Sequence, residues 1–217
     1  VTETFRDQPA RLITQVYVPG VEYGVFYFRL PTADRGEILA ITDKRIVSVT
    51  GDGRRTLEEL IWADDRAVGL AHYYLRVFAR RLDDVPAPGE VVPLNELGTH
   101  CRGALFLDGT HLLTPALSEA VERLSTGFAG FYFGRYDVRA PSEAAFRAGE
   151  FQVIELNGLT SEATSIYDPR HSVWFGWRML CRQWRLAYEI GAANRARGHR
   201  PLTARGVWAL WRTARAA

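Results

Sequence analysis

Short apolar runs separated by turn residues fill most of residues 11–50, which is the pattern of β-strands. "RLITQVYVPGVEYGVFYFRLP" predicts two β-rich runs around the turn "PGVE". "GEILAITDKRIVSVTGDG" predicts two more, "EILAIT" and "RIVSVT", split at "DK" and closed by a Gly-Asp-Gly turn. Helical periodicity follows. "TLEELIWADD" and "AVGLAHYYLRVFARRL" predict helices, with Leu70, Tyr73, Tyr74, Val77 and Phe78 on one face. "DDVPAPGE" reads as a loop, and "VVPL" and "GALFLDG" as short strands. "TPALSEAVERL" opens a helix with Thr114 as N-cap and Pro115 at the first helical position. "FGRYDVR" and "FQVIELNG" predict strands. After Pro169 one long helix runs to Gly198, followed by a short one in "TARGVWALWRTARA". Strands in hairpins among helices define an α+β chain, with a soft boundary near residues 54–60.

Two of these strands carry charge where a core needs Val or Leu. Arg135, Asp137 and Arg139 share one strand face, and Glu155 and Asn157 share another. The segment between them, "APSEAAFRAGE", reads as a polar hairpin connection, so the strands pair antiparallel. Cross-strand neighbours sit roughly 5 Å apart. Coincident polar faces bring Asp137, Glu155 and Asn157 into one small volume, where uncompensated carboxylates are costly. Two compensations are open. A hard cation such as magnesium takes oxygen ligands, or the arginines salt-bridge the acids across an exposed sheet face.

"GRYDVR…VIELNG" resembles the C-terminal signature of ATP-grasp ligases, a strand with Arg and Asp followed by Glu-x-Asn. "ITQVYVPGVEYGV" at residues 13–25 is similar to the adenine-binding hinge of the D-alanine–D-alanine ligase-like members. The resemblance implies antiparallel sheets packed with helices, and covers roughly residues 10–165. It implies Asp137, Glu155 and Asn157 as ligands of magnesium ions bridging ATP phosphates, with Arg135 on the phosphate side. It implies Gln15, Val16 and Val18 as hinge and Glu22 as ribose ligand. Lys44, Arg102 and His100 are further phosphate-side candidates. For Lys44 a solvated surface position is the other reading, and for His100 and Arg102 a capped loop. Gly51 and Gly53 flank Asp52 in a turn that either offers N–H groups to phosphate or simply closes a hairpin. Thr160, Ser161, Glu162 and Tyr167 follow Asn157 as candidate substrate contacts.

The resemblance divides the chain into a lid and hinge part (1–56), a central part with the metal strands (57–169) and C-terminal helices (170–217). The family's upstream subdomain is missing, so a C-terminal portion, or a missing N-terminal partner segment, is expected. The implied activity is an ATP- and magnesium-dependent carboxylate–amine ligase working through an acyl phosphate on small-molecule substrates. The alternative is a non-catalytic nucleotide-binding or interaction module of the same fold. A basic helical protein touching membrane or nucleic acid is a third reading.

Composition narrows this modestly. The 217 residues carry 27 basic and 25 acidic side chains, a formal +2, which makes no case for a polyanion partner. Lys44 is the only lysine and Met179 the only methionine. Cys101 and Cys181 are isolated, which fits a reducing cytoplasm. No apolar run reaches membrane-span length, and neither membrane nor nucleic acid is expected as a partner, though a homo-oligomer is. His72, His111 and His171 read as structural. Trp174, Trp177 and Trp184 with Cys181 have helical spacing and predict a core stripe. The basic amphipathic terminal helix, with Trp208 and Trp211, is expected to pack on the body.

Overall fold

A five-stranded antiparallel sheet organises the chain, its strands lying in the spatial order Leu105–Asp108, Glu37–Arg45, Val21–Phe28, Phe133–Ala140 and Gln152–Asn157. Its strands are β1 (Val21–Phe28), β2 (Glu37–Arg45), β5 (Leu105–Asp108), β6 (Phe133–Ala140) and β7 (Gln152–Asn157). The computed structural model describes residues 16–95 and 102–216. A second sheet pairs β3 (Ser48–Thr50) with β4 (Val91–Pro93), alongside α1 (Leu57–Ala63) and α2 (Ala71–Val77). Then come α3 (Pro115–Thr126), α4 (Glu143–Arg147), α5 (Val173–Ala196) and α6 (Ala204–Ala216). The result is α+β, antiparallel sheets packed with helices.

Alternation sorts the large sheet into two faces. Tyr23, Val25, Tyr27, Ile41, Tyr136 and Val138 form one core with Leu117 and Val121 of α3. Phe146 of α4 closes it, stacked on Tyr23 with ring centroids 3.9 Å apart. Burial pushes the Tyr23 phenol up to about 12. The opposite face is divided. Phe26, Phe28, Ala40 and Phe133 pack with Ile190 of α5, with Met179 and Leu186 at the margin. The rest of that face is polar. Val49, Leu57, Ile61, Tyr74 and Val92 build a separate small core between β2 and β5 in the chain.

Local signals account for several boundaries. Thr114 caps α3 by accepting from Leu117 N–H, with Pro115 first in the helix. Thr56 and Glu59 form a reciprocal capping box on α1. Other expectations change. Val21 and Glu22 belong to β1, so the turn is confined to Pro19–Gly20, and residues 16–19 carry no strand. Most of the first predicted run lies outside the described residues. No break occurs at Asp43–Lys44, because both charges are paired within the sheet: Asp43 with Arg45, Lys44 with Glu22 and Asp137. The long helix predicted over 67–82 is a 3-10 turn, Ala67–Leu70, leading into the seven-residue α2. Val77 is consequently exposed rather than on a shared apolar face. The β6–β7 connection is not wholly polar, since α4 turns Phe146 inward. The boundary expected near residue 56 is crossed by strand pairs, β1 with β6 and β3 with β4.

The tryptophan stripe is not core. Trp174, Trp177 and Trp184 are 82%, 63% and 55% exposed. α5 buries its other face, through Gln183 and Ile190. Nor does α6 pack its apolar face on the body, for Val207, Trp208 and Leu210 are all more than half exposed.

Candidate functional site

The polar part of the sheet is built by register. Glu22 stands between Lys44 and Arg139, Gly24 between Thr42 and Asp137, and Phe26 between Ala40 and Arg135. On β7, Glu155 lies opposite Asp137 and Asn157 opposite Arg135. These residues are two apart along each strand, so their side chains point the same way.

A chain of ion pairs runs across the strands. Arg135 grips Asp137 with two bonds, Nε to Oδ1 at 2.8 Å and Nη2 to Oδ2 at 3.2 Å. Lys44 Nζ bridges Asp137 Oδ2 at 3.1 Å and Glu22 Oε1 at 2.9 Å. Arg139 closes the far end on Glu22 Oε2 at 3.1 Å and donates to the Val18 carbonyl at 2.8 Å. Its guanidinium lies 5.3 Å over the Tyr17 ring. Asn157 Nδ2 donates to Asp137 Oδ2 at 3.4 Å. Lys44 and Asp137 are buried, so each depends on its partners for charge compensation.

Neighbouring elements hold this face in shape. Gly24 leaves room at its centre: a Cβ there would meet Arg135 Cδ at 3.3 Å and Asp137 Oδ1 at 3.6 Å. Thr42 Oγ1 shares a 3.0 Å hydrogen bond with Thr164 Oγ1, which docks the 158–168 segment on the sheet. Buried Gln183 of α5 accepts from Ala163 N–H and donates to the Ser161 carbonyl. Arg135 Nη1 donates to the Glu162 carbonyl at 3.1 Å. Beyond this, Asp168 accepts from Asp108 N–H at 2.7 Å, and Asp108 meets His171 at 2.9 Å. Hydrogen bonds from the Arg170 side chain hold the Asp168 carboxyl well below the usual carboxylate range.

The structure thus gathers Glu22, Lys44, Arg135, Asp137, Glu155 and Asn157 on one face. Lys44 is not a solvated surface residue; it is 6% exposed in the middle of the sheet. Asp137 and Asn157 touch. Glu155 is exposed and makes no hydrogen bond or ion pair among the described residues. Two carboxylates and an amide are hard oxygen donors suited to magnesium. Among the described residues, however, no three His, Cys, Asp or Glu side chains cluster as a metal group, and cations already engage both Asp137 oxygens.

Other candidates fall elsewhere. Arg102 takes part through its carbonyl, which accepts from Tyr74 and Asn95, while its side chain is exposed. The amides of the Gly51–Gly53 turn are used internally: Gly51 donates to Glu90, Gly53 to Pro86, and Asp52 accepts from Arg54 and Arg55. Gln15, His100 and Cys101 lie outside the described residues. Val16 and Val18 line a cavity of about 480 Å³ with Tyr17, Arg139, Gln152 and Val153. Tyr167 hydrogen-bonds Glu162, and Ser161 bonds back to the Gly158 carbonyl. Sequence reasoning missed Gly24, Thr42, Thr164 and Gln183. Only Gly24, a glycine inside an apolar strand, carried a local hint.

No protein-family model matches the chain. No curated protein matches it either. Among solved structures, a bifunctional glutathione synthetase from Pasteurella multocida is similar, at 20% identity and TM-score 0.41. The match takes in 65% of this chain and 20% of that one, so this chain corresponds to about a fifth of its length.

Proposed function

We propose that the charged sheet face is an Mg·ATP site and that the chain acts in an ATP-grasp-type carboxylate–amine ligase. The observation that carries this reading is the register of β6 and β7, which sets Glu155 against Asp137 and brings Asn157 to 3.4 Å from it. Asp137, Glu155 and Asn157 would hold the metal, whose contribution is to neutralise charge on the phosphoryl oxygens. Arg135 and Lys44 supply fixed positive charge beside it, and Arg102 is the further candidate on the phosphate side. The cavity at Val16 and Val18 is of a size for an adenine, with Gln15 completing the hinge and Glu22 as the ribose acid. A substrate carboxylate would attack the γ-phosphorus, releasing ADP and leaving an acyl phosphate; an amine would then displace phosphate and lose a proton. No side-chain nucleophile is required.

One observation favours a second reading. Three cations already balance Glu22 and Asp137. A face neutralised from within suits a non-catalytic nucleotide-binding or interaction module. Calorimetry with ATP, with and without magnesium, and ADP release over a panel of carboxylates and amines separate the two. Magnesium-dependent ATP binding lost in Asp137→Asn and Glu155→Gln, with ADP release, supports the ligase. Binding without turnover supports the module. No binding in either condition refutes both.

A further inference from the structure

α5 carries two opposite faces. Gln183 and Ile190 are turned into the protein, while Trp174, Trp177, Cys181, Trp184 and Tyr188 project outward at alternating spacings of three and four. That spacing makes one continuous stripe, roughly 20 Å long at 1.5 Å per residue. Arg178 and Arg182 flank it, both exposed. α6 repeats the pattern, with Val207, Trp208 and Leu210 exposed beside Arg205 and Arg212. The Arg212 guanidinium lies 4.7 Å over the Trp208 ring. Charge is concentrated here. Residues 170–217 hold ten arginines against one glutamate, a formal +9, in a chain whose total is +2.

We propose that the tryptophan faces of α5 and α6 dock on the surface of an anionic lipid bilayer. The charge selects the partner class. A second copy of the same face would set one arginine-rich C-terminal segment against another, which repels. An anionic bilayer attracts basic segments through its phosphates. The apolar half of the pattern favours lipid over a nucleic acid, since Val173, Val207 and Leu210 have hydrocarbon to enter and no base to stack on. Trp and Tyr prefer the headgroup level, with rings toward the acyl chains and arginines toward phosphate. Aromatic side chains bury ~150–250 Å² each, so the four aromatic residues of the α5 stripe offer several hundred Å². Among the described residues no helix is long and apolar enough to cross a membrane, which leaves these helices lying on the surface.

The test is flotation of the full chain with vesicles of equimolar phosphatidylcholine and phosphatidylglycerol, against phosphatidylcholine alone, with tryptophan emission recorded. The expected result is binding to the anionic vesicles only, weakened by salt, with a blue-shifted emission. Trp177→Glu with Trp184→Glu should lower vesicle affinity roughly tenfold or more. Arg178→Glu with Arg182→Glu should weaken it similarly. All four positions are exposed, so thermal melting should be unchanged. Three results overturn the proposal: no binding to anionic vesicles, tighter binding to a single-stranded oligonucleotide than to vesicles, or a dimer in light scattering that the tryptophan substitutions dissolve.

Discussion

Lys44 Nζ lies 3.1 Å from Asp137 Oδ2, joining a cation and a carboxylate that are two strands apart in the sheet and each only 6% exposed. The single lysine of the chain is therefore the hub of the charged face. It touches the acids of β1 and β6 at once, while Arg135 pairs with Asp137 and Arg139 with Glu22.

Replacing that hub exposes its worth. Lys44→Met leaves Asp137 with Arg135 and Glu22 with Arg139, so neither acid is wholly unpaired. The expected loss is about 2–3 kcal/mol, below the full penalty for an orphaned buried charge. Glu22→Gln should then cost less in the Lys44→Met background than in the native chain. Urea denaturation of the four proteins gives the coupling, and simple additivity would show that the pair is idle.

Two glycines near this face separate strain from crowding. Gly20 has φ +123°, and a Cβ there would meet the Ala140 carbonyl oxygen at 2.2 Å. Gly20→Ala is expected to cost ~2 kcal/mol or more, because backbone must move. A Cβ at Gly24 would meet Arg135 Cδ at 3.3 Å and Thr42 Cβ at 3.4 Å, both side-chain atoms, so a methyl there asks for a shift of only a few tenths of an ångström. Gly24→Ala should cost less than about 1 kcal/mol. Equal losses in chemical denaturation would contradict this reading of the two sites.

What the sequence made legible follows from which forces are local. Thr114 and Pro115 start α3 as their chemistry requires, and the apolar run at 21–28 is β1. The shared face of Arg135, Asp137 and Arg139 follows from alternation alone. What stayed hidden depends on long-range pairing. "DK" reads as a break only while the partners of Lys44, at Glu22 and Asp137, are unknown. The tryptophan stripe has the spacing of a core face, and spacing cannot tell which side of α5 meets the sheet. Gln183 gives no signal beforehand, since its partners lie 20 and 22 residues away in a loop.

That glutamine supports a further prediction. Gln183→Leu would strip partners from Ala163 N–H and the Ser161 carbonyl in a buried setting. The expected destabilisation is about 1–3 kcal/mol. Loss should be local before it is global. Amide exchange should speed up over residues 158–168 while the amides of β1 and β6 keep their protection. Uniform acceleration across the sheet would argue against the segment being pinned through α5.

Acid should act through Asp168. Its side chain is fully buried and receives Arg170 at 2.5 Å, Asp108 N–H at 2.7 Å and Arg170 N–H at 2.8 Å. The Arg170 side-chain bonds lead in holding its carboxyl well below the ordinary value near 3.9 that it regains on unfolding. A carboxyl with a depressed folded pKa stabilises fully above the unfolded value, and the contribution fades as pH falls toward the folded one. Asp52, held down by the Arg55 backbone N–H first and then its side chain, works in the same direction. Stability from urea titrations should therefore be level near neutrality and decline steadily below about pH 4–5. Asp168→Asn removes the titrating group while keeping the shape. It should be less stable than the native chain at neutral pH, because Arg170 loses its carboxylate, and its decline in acid should be shallower. A native-like acid slope in Asp168→Asn would assign the acid sensitivity to other carboxyls.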